Sequence, residues 1–216
     1  MKKGSRYDVS GLAEAQFEPG SNEQVLRNRL GIKTATEMDV LEARALQRVM
    51  NDAVRQFGES HRFTAADICG LHKAWLGDTY DWAGNYRQVN ISKGNFPFAA
   101  AAQVPGLMAQ FERDLLARYT PCVFADRAAV VAALAVTHVE LVLVHPFREG
   151  NGRVARVLSL LMALQARLPL LNFAAMAGEQ RETYFAAVQA GLDRNYQPME
   201  QLFAGIIEQS LAASAP

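Results

Sequence analysis

Apolar residues recur every three or four positions along most of the chain, which is the period of an α-helix. A helix is predicted over residues 37–57, in which Met38, Leu41, Ala45 and Val49 form one apolar stripe. Four charged residues lie mostly off that stripe, namely Glu42, Arg44, Arg48 and Asp52. The other predicted helices cover residues 23–30, 64–76, 104–118, 126–145, 154–162, 179–191 and 199–212. The stretch 126–145 is apolar on most faces, so we expect it to be the central helix of an all-α bundle.

Two helix starts and two histidines can be interpreted from their positions alone. Thr64 and Asp67 have the spacing of a capping box, and Asp126 is a plausible N-cap. His72 and His138 both lie inside predicted helices. His72 has no partner at the spacing of a metal site, and the residue of interest near His138 is Glu140. We expect both imidazoles to be core groups that are satisfied by hydrogen bonds.

The helical period is interrupted between residues 80 and 98. Residues 86–92, a turn at Lys93-Gly94-Asn95 and then Phe96-Pro97-Phe98 predict a short β-hairpin over residues 86–98. Residues 1–22 are polar and rich in turn formers, which predicts an arm that lies on the domain or is partly disordered. We therefore expect an arm over residues 1–22 and a single helical domain over residues 23–212.

Composition and charge narrow the class of protein further. Half of the 216 residues are apolar, and 22 basic residues balance 22 acidic ones. Such a chain can bury a full core, and its zero net charge gives no reason to expect a direct nucleic-acid or membrane surface. No apolar run approaches the roughly 18 residues of a membrane span. We expect a soluble, cytoplasmic protein unless a partner exports it, with reduced thiols at Cys69 and Cys122.

The candidate chemistry is concentrated between the two most apolar helices, in His145-Pro146-Phe147-Arg148-Glu149-Gly150-Asn151-Gly152-Arg153 and in Arg156. A proline cannot continue a helix, so His145 should lie at a helix end and face a loop. Gly150 and Gly152 permit close backbone approach at the start of the next helix, whose free N–H groups favour an anion. Arg153 and Arg156 are one helical turn apart and can reach one phosphate chain.

Two residues of this loop supply the remaining parts of a phosphoryl-transfer site. Glu149 is suited to Mg²⁺, which binds through one or two carboxylates and phosphate oxygens. With an ordinary pKa of about 6.5, His145 can accept a proton from an attacking hydroxyl. Two other hypotheses remain open. One is a nucleotide-binding regulatory module without turnover, and the other is a metal hydrolase that uses His138, Glu140, His145 and Glu149.

The segment from His145 to Arg156 resembles the signature of the Fic (filamentation induced by cAMP) family, His-Pro-Phe-x-Asp/Glu-Gly-Asn-Gly-Arg-x-x-Arg, at every specified position. The resemblance implies the Fic fold, a helical bundle with a β-hairpin flap. It also implies transfer of AMP from ATP to a Ser, Thr or Tyr hydroxyl of a target protein, with release of pyrophosphate. By position, His145 is the general base and Glu149 holds Mg²⁺. The nucleotide-binding positions are Gly150, Asn151, Gly152, Arg153 and Arg156.

The resemblance also implies roles outside the signature. The flap edge would pair with the target's main chain, with Lys93, Gly94 and Phe96 at its tip. Additional candidates for contacts with the nucleotide are Tyr80, Gln103 and Tyr184. Relatives of the Doc type, which transfer phosphate, carry a bulky basic residue where this chain has Gly152, so we expect AMP to be transferred. Transfer of another nucleotide or of phosphate is the alternative.

Regulation and target choice follow from the family pattern in the same way. Many relatives carry an inhibitory helix with the pattern Ser/Thr-x-x-x-Glu-Gly/Asn, whose glutamate pairs with the second signature arginine. Here only Ser10 has a glutamate four positions on, Glu14, and Ala15 follows it. We expect a separate antitoxin-like protein to inhibit the enzyme near Arg156, or else residues 10–14 to be a degenerate internal inhibitor. A topoisomerase subunit is one target that the resemblance implies.

Overall fold

The computed structural model describes residues 11–214, which form a helical domain with one small hairpin. The helices are α1 (Ala35–Gln56), α2 (Ala65–Leu76), α3 (Val104–Phe111), α4 (Ala117–Tyr119), α5 (Arg127–Val144), α6 (Asn151–Gln165), α7 (Ala174–Ala177), α8 (Arg181–Ala190) and α9 (Gln197–Ser214). A π-helix, Glu112–Leu116, joins α3 to α4, so the predicted helix 104–118 has an irregular second half. The all-α class with a hairpin flap is confirmed.

Helix α5 is the centre of the bundle, as its apolar composition predicted. It packs against α3, α6, α8 and α9. The Asp126 side chain caps its start by accepting a hydrogen bond from the Ala129 N–H at 2.7 Å. By length and composition α5 is apolar enough to cross a membrane, but 67% of it is buried within the domain. Its apolarity is therefore that of a core helix.

Helix α2 fixes one wall of the bundle and begins at the predicted capping box. The Thr64 hydroxyl accepts from the Asp67 N–H at 3.1 Å, and the Asp67 carboxylate accepts from the Thr64 N–H at 2.9 Å. The aromatic face of this helix carries Trp75, which is 2% exposed and donates from its indole N–H to the Glu42 carbonyl. This contact places α1 against α2 beneath the signature loop.

The predicted helix over residues 23–30 was wrong. Asn22 and Glu23 have positive φ angles of 53° and 60°, which a right-handed helix does not allow. The Asn28 side chain bonds to backbone groups on both sides of it, including the N–H groups of residues 30 and 32. Local side-chain hydrogen bonds of this kind compete with helix formation, and the segment instead forms an isolated bridge between Phe17 and Leu26.

The hairpin is shorter than predicted. Strand β1 (Ser92–Lys93) pairs antiparallel with β2 (Phe96–Pro97) around Gly94, whose φ is 57°. Residues 87 and 88, which were predicted to belong to the hairpin, do not join the ladder because their N–H groups bond elsewhere. The Arg87 N–H donates to the Pro146 carbonyl at 2.9 Å, and the next N–H donates to the Glu14 carboxylate at 2.6 Å.

Within the arm predicted for residues 1–22, residues 11–22 lie on the domain. A short 3₁₀ turn, Ala13–Ala15, buries Glu14 against the flap stem, and Ser21 is 3% exposed. Ser10 lies outside the described residues.

Candidate active site

His145 ends helix α5 in a left-handed conformation, with φ 51° and ψ 58°. Its Nδ1 lies 3.0 Å from the Val142 carbonyl oxygen. A carbonyl only accepts hydrogen bonds, so Nδ1 carries the proton and Nε2 keeps its lone pair. The ring stacks on Phe98 of the flap with centroids 3.6 Å apart. The helix end and the flap together hold one tautomer and one ring orientation.

The charge of His145 is set by its surroundings. Burial, aided by the nearby Arg87 and Lys93, lowers the pKa of the imidazole to about 4, against the opposing effects of the Val142 carbonyl and Glu149. The ring is neutral at physiological pH. A neutral imidazole with a free Nε2 is the form that a general base requires.

The loop that follows His145 is rigid because its side chains bond back to it. The Asn151 amide donates to the Phe147 carbonyl and accepts from the Phe147 N–H, both at 2.8 Å. Phe147 stacks on His72 at 3.8 Å, and the His72 Nε2 donates to the Glu149 carbonyl. His72 is therefore a satisfied core group, as predicted. The Asn151 side chain shapes the loop, which leaves backbone N–H groups at the start of α6 for an anion.

The two loop glycines have different structural requirements. Gly150 has a φ of 83°, and a Cβ there would lie 2.5 Å from the Trp75 ring. A Cβ on Gly152 would meet only the Arg156 guanidinium at 3.6 Å and the Tyr184 hydroxyl at 3.9 Å. Gly150 is thus needed to fold the loop, whereas Gly152 keeps the space beside Arg156 and Tyr184 open.

We expect Gly150→Ala to lower the free energy of unfolding by about 1–3 kcal/mol, because the new Cβ overlaps Trp75 and the positive φ is strained. Gly152→Ala should leave the melting temperature unchanged or raise it, since alanine is favoured within a helix, and should weaken nucleotide binding. Thermal denaturation and ATP titration of both variants check this. Equal loss of stability in the two variants would contradict the assignment.

The two signature arginines are in different electrostatic states. Arg153 pairs with the buried Glu42 at 2.6 Å and with Glu149 at 3.2 Å, and it lies over the Trp75 ring at 4.6 Å. Among residues 11–214, no carboxylate pairs with Arg156, whose pKa is lowered by burial. Arg156 therefore presents an uncompensated positive charge to the site.

Glu42 is a site residue that the sequence pattern placed wrongly. It was predicted to lie off the apolar stripe, yet it is 3% exposed and bonds to Arg153 and to the Tyr80 hydroxyl. Burial raises the pKa of its carboxyl, while Arg153 opposes the shift. Only the packing of α1 on α2 and α6 reveals this contact, because the two partners are 111 positions apart.

Tyr184 lines the cavity beside Gly152 and Arg156, and it is also a core residue that is 5% exposed. The Ser159 hydroxyl donates to the Ala155 carbonyl, so the His138 Nδ1 donates to Ser159 and its Nε2 accepts from the Tyr184 hydroxyl at 3.0 Å. Burial lowers the pKa of His138 to about 3. His138 is a core group that is satisfied by hydrogen bonds, as predicted, and it orients Tyr184. Glu140 is not its partner, because the Glu140 carboxylate accepts from the Tyr196 hydroxyl.

The signature loop, the start of α6, the flap and α8 enclose one cavity of about 1,020 Å³. His145, Glu149, residues 150–153, Arg156 and Tyr184 lie on its wall with Lys93 and Phe96 of the flap. Lys93 places its ammonium 3.7 Å from the centre of the Phe185 ring and so links the flap to α8.

Three predicted site residues do not line the cavity. Tyr80 is buried and stacks on Trp82, and it reaches the site only through Glu42. Gln103 is exposed at the end of the 3₁₀ turn Ala101–Gln103, and Gly94 forms the flap tip with open space around it. A direct nucleotide contact from Tyr80 or Gln103 has no support from the cavity wall and stays a prediction.

The residues of the cavity fit a magnesium ion that is shared with a nucleotide. The Glu149 side chain is 47% exposed, and one of its oxygens accepts from the Gly150 N–H and Arg153. No group of three or more His, Cys, Asp or Glu side chains within residues 11–214 is arranged to hold a metal. A single carboxylate suits Mg²⁺, which takes its other ligands from phosphates and water, but it does not suit the metal hydrolase hypothesis.

One cavity of this helical fold therefore combines a neutral imidazole, the N–H groups at a helix start and Arg156, which has no carboxylate partner among residues 11–214. Such a combination suits the binding and transfer of a phosphorus-containing group. Residues 62–163 match the family model described as Fic/DOC family. The chain is 32% identical over 145 residues to the probable protein adenylyltransferase y4lH of Sinorhizobium fredii, covering 64% of this chain and 69% of that protein. This chain belongs to the Fic/DOC family.

Other relatives differ in how much of their length is shared. Identity to the probable protein adenylyltransferase Fic of Escherichia coli is 27% over 197 residues, covering 86% of this chain and 89% of that protein. Identity to the protein adenylyltransferase VbhT of Bartonella schoenbuchensis is 32% over 137 residues, which cover 61% of this chain. The match spans 27% of VbhT, so the shared region is about a quarter of that protein.

Solved structures share the fold. The BepC protein of Bartonella tribocorum with bound AMPPNP superposes with a TM-score of 0.72 at 22% identity, covering 91% of this chain and 97% of that one. The N-terminal Fic domain of a putative cell filamentation protein from Bartonella quintana, with bound ADP, gives 0.70 at 24% identity, with 89% and 94% covered. The expected Fic fold is confirmed.

Proposed function

We propose that this chain is a protein adenylyltransferase that transfers AMP from ATP to a Ser, Thr or Tyr hydroxyl of a target protein. The observation that carries the proposal is a neutral His145 in the same cavity as the anion-binding loop and Arg156. A regulatory module that only bound nucleotide would not need a base held in this tautomer. The names of the relatives, protein adenylyltransferases, agree with the activity.

The reaction follows from these positions. The target hydroxyl loses its proton to the His145 Nε2 while its oxygen bonds to the α-phosphorus of ATP. The bond from that phosphorus to the α–β bridging oxygen breaks, and pyrophosphate leaves. Arg156 and the N–H groups at the start of α6 stabilise negative charge on the phosphates. Glu149 would hold Mg²⁺, which supplies positive charge to the phosphate chain when bound.

The group transferred depends on which phosphorus faces His145. A side chain at position 152 would point toward Arg156 and Tyr184, so glycine leaves room there for the α-phosphate. The decisive experiment compares α-labelled and γ-labelled ATP with magnesium and a bacterial lysate. Protein label from the α-labelled nucleotide alone, with the mass of an added AMP, is expected. Label from γ-labelled ATP would replace AMP transfer by phosphate transfer.

We infer that the target presents an extended segment to the flap. Both residues of β1 are exposed, and its outer edge can accept a strand by main-chain pairing. Main-chain pairing alone carries little side-chain information, so the target must be found by experiment. A topoisomerase subunit, implied by the family resemblance, is the first protein to test. The cytoplasm is the compartment we propose, because ATP is the co-substrate and both cysteines are free thiols.

A separate inhibitory protein is the regulation that we propose. The carboxylate of Glu14 accepts from the Gln88 N–H, and its carbonyl accepts from Arg148, so Glu14 does not pair with Arg156. An antitoxin-like partner would supply the missing carboxylate. Higher transfer activity after deletion of residues 1–20 would contradict this proposal. Lower activity would not support it, because the deletion also removes the Glu14 contacts.

The buried His72 and His138 and the partly buried His145 should resist protonation. The pKa values of His72 and His145 are lowered to about 4 and that of His138 to about 3, in each case mainly by burial. In an NMR titration these imidazoles should stay neutral down to about pH 5. Because the unfolded chain binds protons near pH 6.5, folding stability should fall as the pH drops from about 6.5 toward 4. Titration of the His145 ring near pH 6.5 would contradict the burial argument.

A further inference from the structure

Arg87 is a buried guanidinium whose described partners are all backbone carbonyls. It is 2% exposed. Its Nε donates to the His145 carbonyl at 2.6 Å and its Nη1 to the Val89 carbonyl at 2.8 Å. Its Nη2 donates to the Ala99 carbonyl and, at 3.3 Å, to the Val144 carbonyl. No carboxylate within residues 11–214 pairs with it.

The four carbonyls belong to two parts of the site. Residues 144 and 145 end helix α5, where carbonyls lack partners within the helix and the dipole favours a cation. Val89 precedes the two strands of the flap and Ala99 follows them, so the planar guanidinium of Arg87 bonds to the chain on both sides of the hairpin. Arg87 therefore joins the base of the flap to the peptide that carries the proposed catalytic base.

Contacts around this joint extend it into the cavity. The backbone N–H of Arg87 donates to the Pro146 carbonyl at 2.9 Å, inside the signature loop. Phe98 stacks on the His145 ring, and its N–H donates to the Ile91 carbonyl across the hairpin. The strand edge and the imidazole are thus positioned from the same few residues.

We propose that Arg87 is a positioning residue that keeps the target-docking flap in register with the Nε2 of His145. The inference rests on the proposed function and adds a route by which a target segment paired with β1 is aligned with the base. The hydrogen bonds distinguish this role from simple core filling, because they join both ends of the hairpin to the helix end that carries His145. The nucleotide cradle at residues 150–156 makes none of them.

The deciding variant is Arg87→Lys, which retains the charge but replaces the planar fork by a point donor that cannot span four carbonyls. Arg44→Met, at an exposed position on α1, is the control. We expect Arg87→Lys to bind ATP within about twofold of the wild type and to lower kcat for protein modification by at least about tenfold, the loss that an offset between flap and base produces. Hydrogen exchange should rise in residues 88–100 and not in α5 or α9.

Each result has a distinct meaning. If AMP transfer is unchanged although exchange is faster in residues 88–100, Arg87 does not position the flap for the reaction. Faster exchange throughout α5 and α9 would also overturn the positioning role, because it indicates a general loss of stability. Unchanged exchange at the flap would overturn the joint itself. If the wild-type protein transfers no AMP, the proposed function fails, while the exchange measurement still decides whether Arg87 holds the flap to the end of α5.

Discussion

His145→Ala is expected to lower AMP transfer about 10²- to 10⁴-fold, the usual contribution of a positioned general base. The Nδ1 proton is committed to the Val142 carbonyl, so Nε2 is the atom that takes the hydroxyl proton. ATP affinity should change little, because the arginine and N–H groups that bind phosphate lie on α6. Initial rates with α-labelled ATP and equilibrium binding measure the two quantities separately.

His61→Ala is the matched control for this variant. His61 is a partly exposed histidine that pairs with Asp67 at 3.0 Å and does not line the cavity. Its loss should leave transfer near the wild-type rate. If His145→Ala keeps more than about a tenth of the wild-type rate, the proton has another acceptor and His145 is not the base.

Arg156→Met is expected to have opposite effects on binding and on stability. Arg156 has no described carboxylate partner, and burial disfavours its charge. Replacement by an apolar side chain of similar length removes that cost, so the free energy of unfolding should rise by about 1 kcal/mol. A charge-assisted hydrogen bond contributes about 1.5–3 kcal/mol, so ATP should bind roughly 10- to 100-fold more weakly.

Arg153→Met separates this effect from a general role of the signature arginines. Arg153 is paired with the buried Glu42, and its removal leaves that carboxylate without its counter-ion. Thermal denaturation should therefore show a loss of stability in Arg153→Met and none in Arg156→Met. If Arg156→Met lowers the melting temperature to the same extent, Arg156 has a structural partner and its charge is not reserved for the nucleotide.

Elements that depend on contacts between residues close together in the chain could be predicted from the sequence. The capping box at Thr64, the N-cap at Asp126 and the placement of His145 at a helix end depend on neighbours within four residues. All three were correct. The failed helix at 23–30 also has a local cause, because Asn28 and two positive φ angles outweigh the apolar spacing.

Contacts between distant segments account for the features of the site that the sequence did not predict. Tyr80 was assigned to the nucleotide's surroundings, but it bonds to Glu42, which is 38 positions away in the chain. Glu42 looked like a surface charge because helical periodicity describes one helix and not what packs on it. The four carbonyls that converge on Arg87 are likewise distributed over three segments of the chain.

The sequence by itself determined the helical class, the central helix and the chemistry of residues 145–156, because periodicity and short motifs record local conformational preferences and functional groups in fixed order. The tertiary structure alone decided which charges are paired. It neutralises Arg153 with Glu42, leaves Arg156 without a carboxylate among the described residues, and lowers the pKa of His145 by burial. Those outcomes depend on distance and desolvation between segments that the chain order does not bring together.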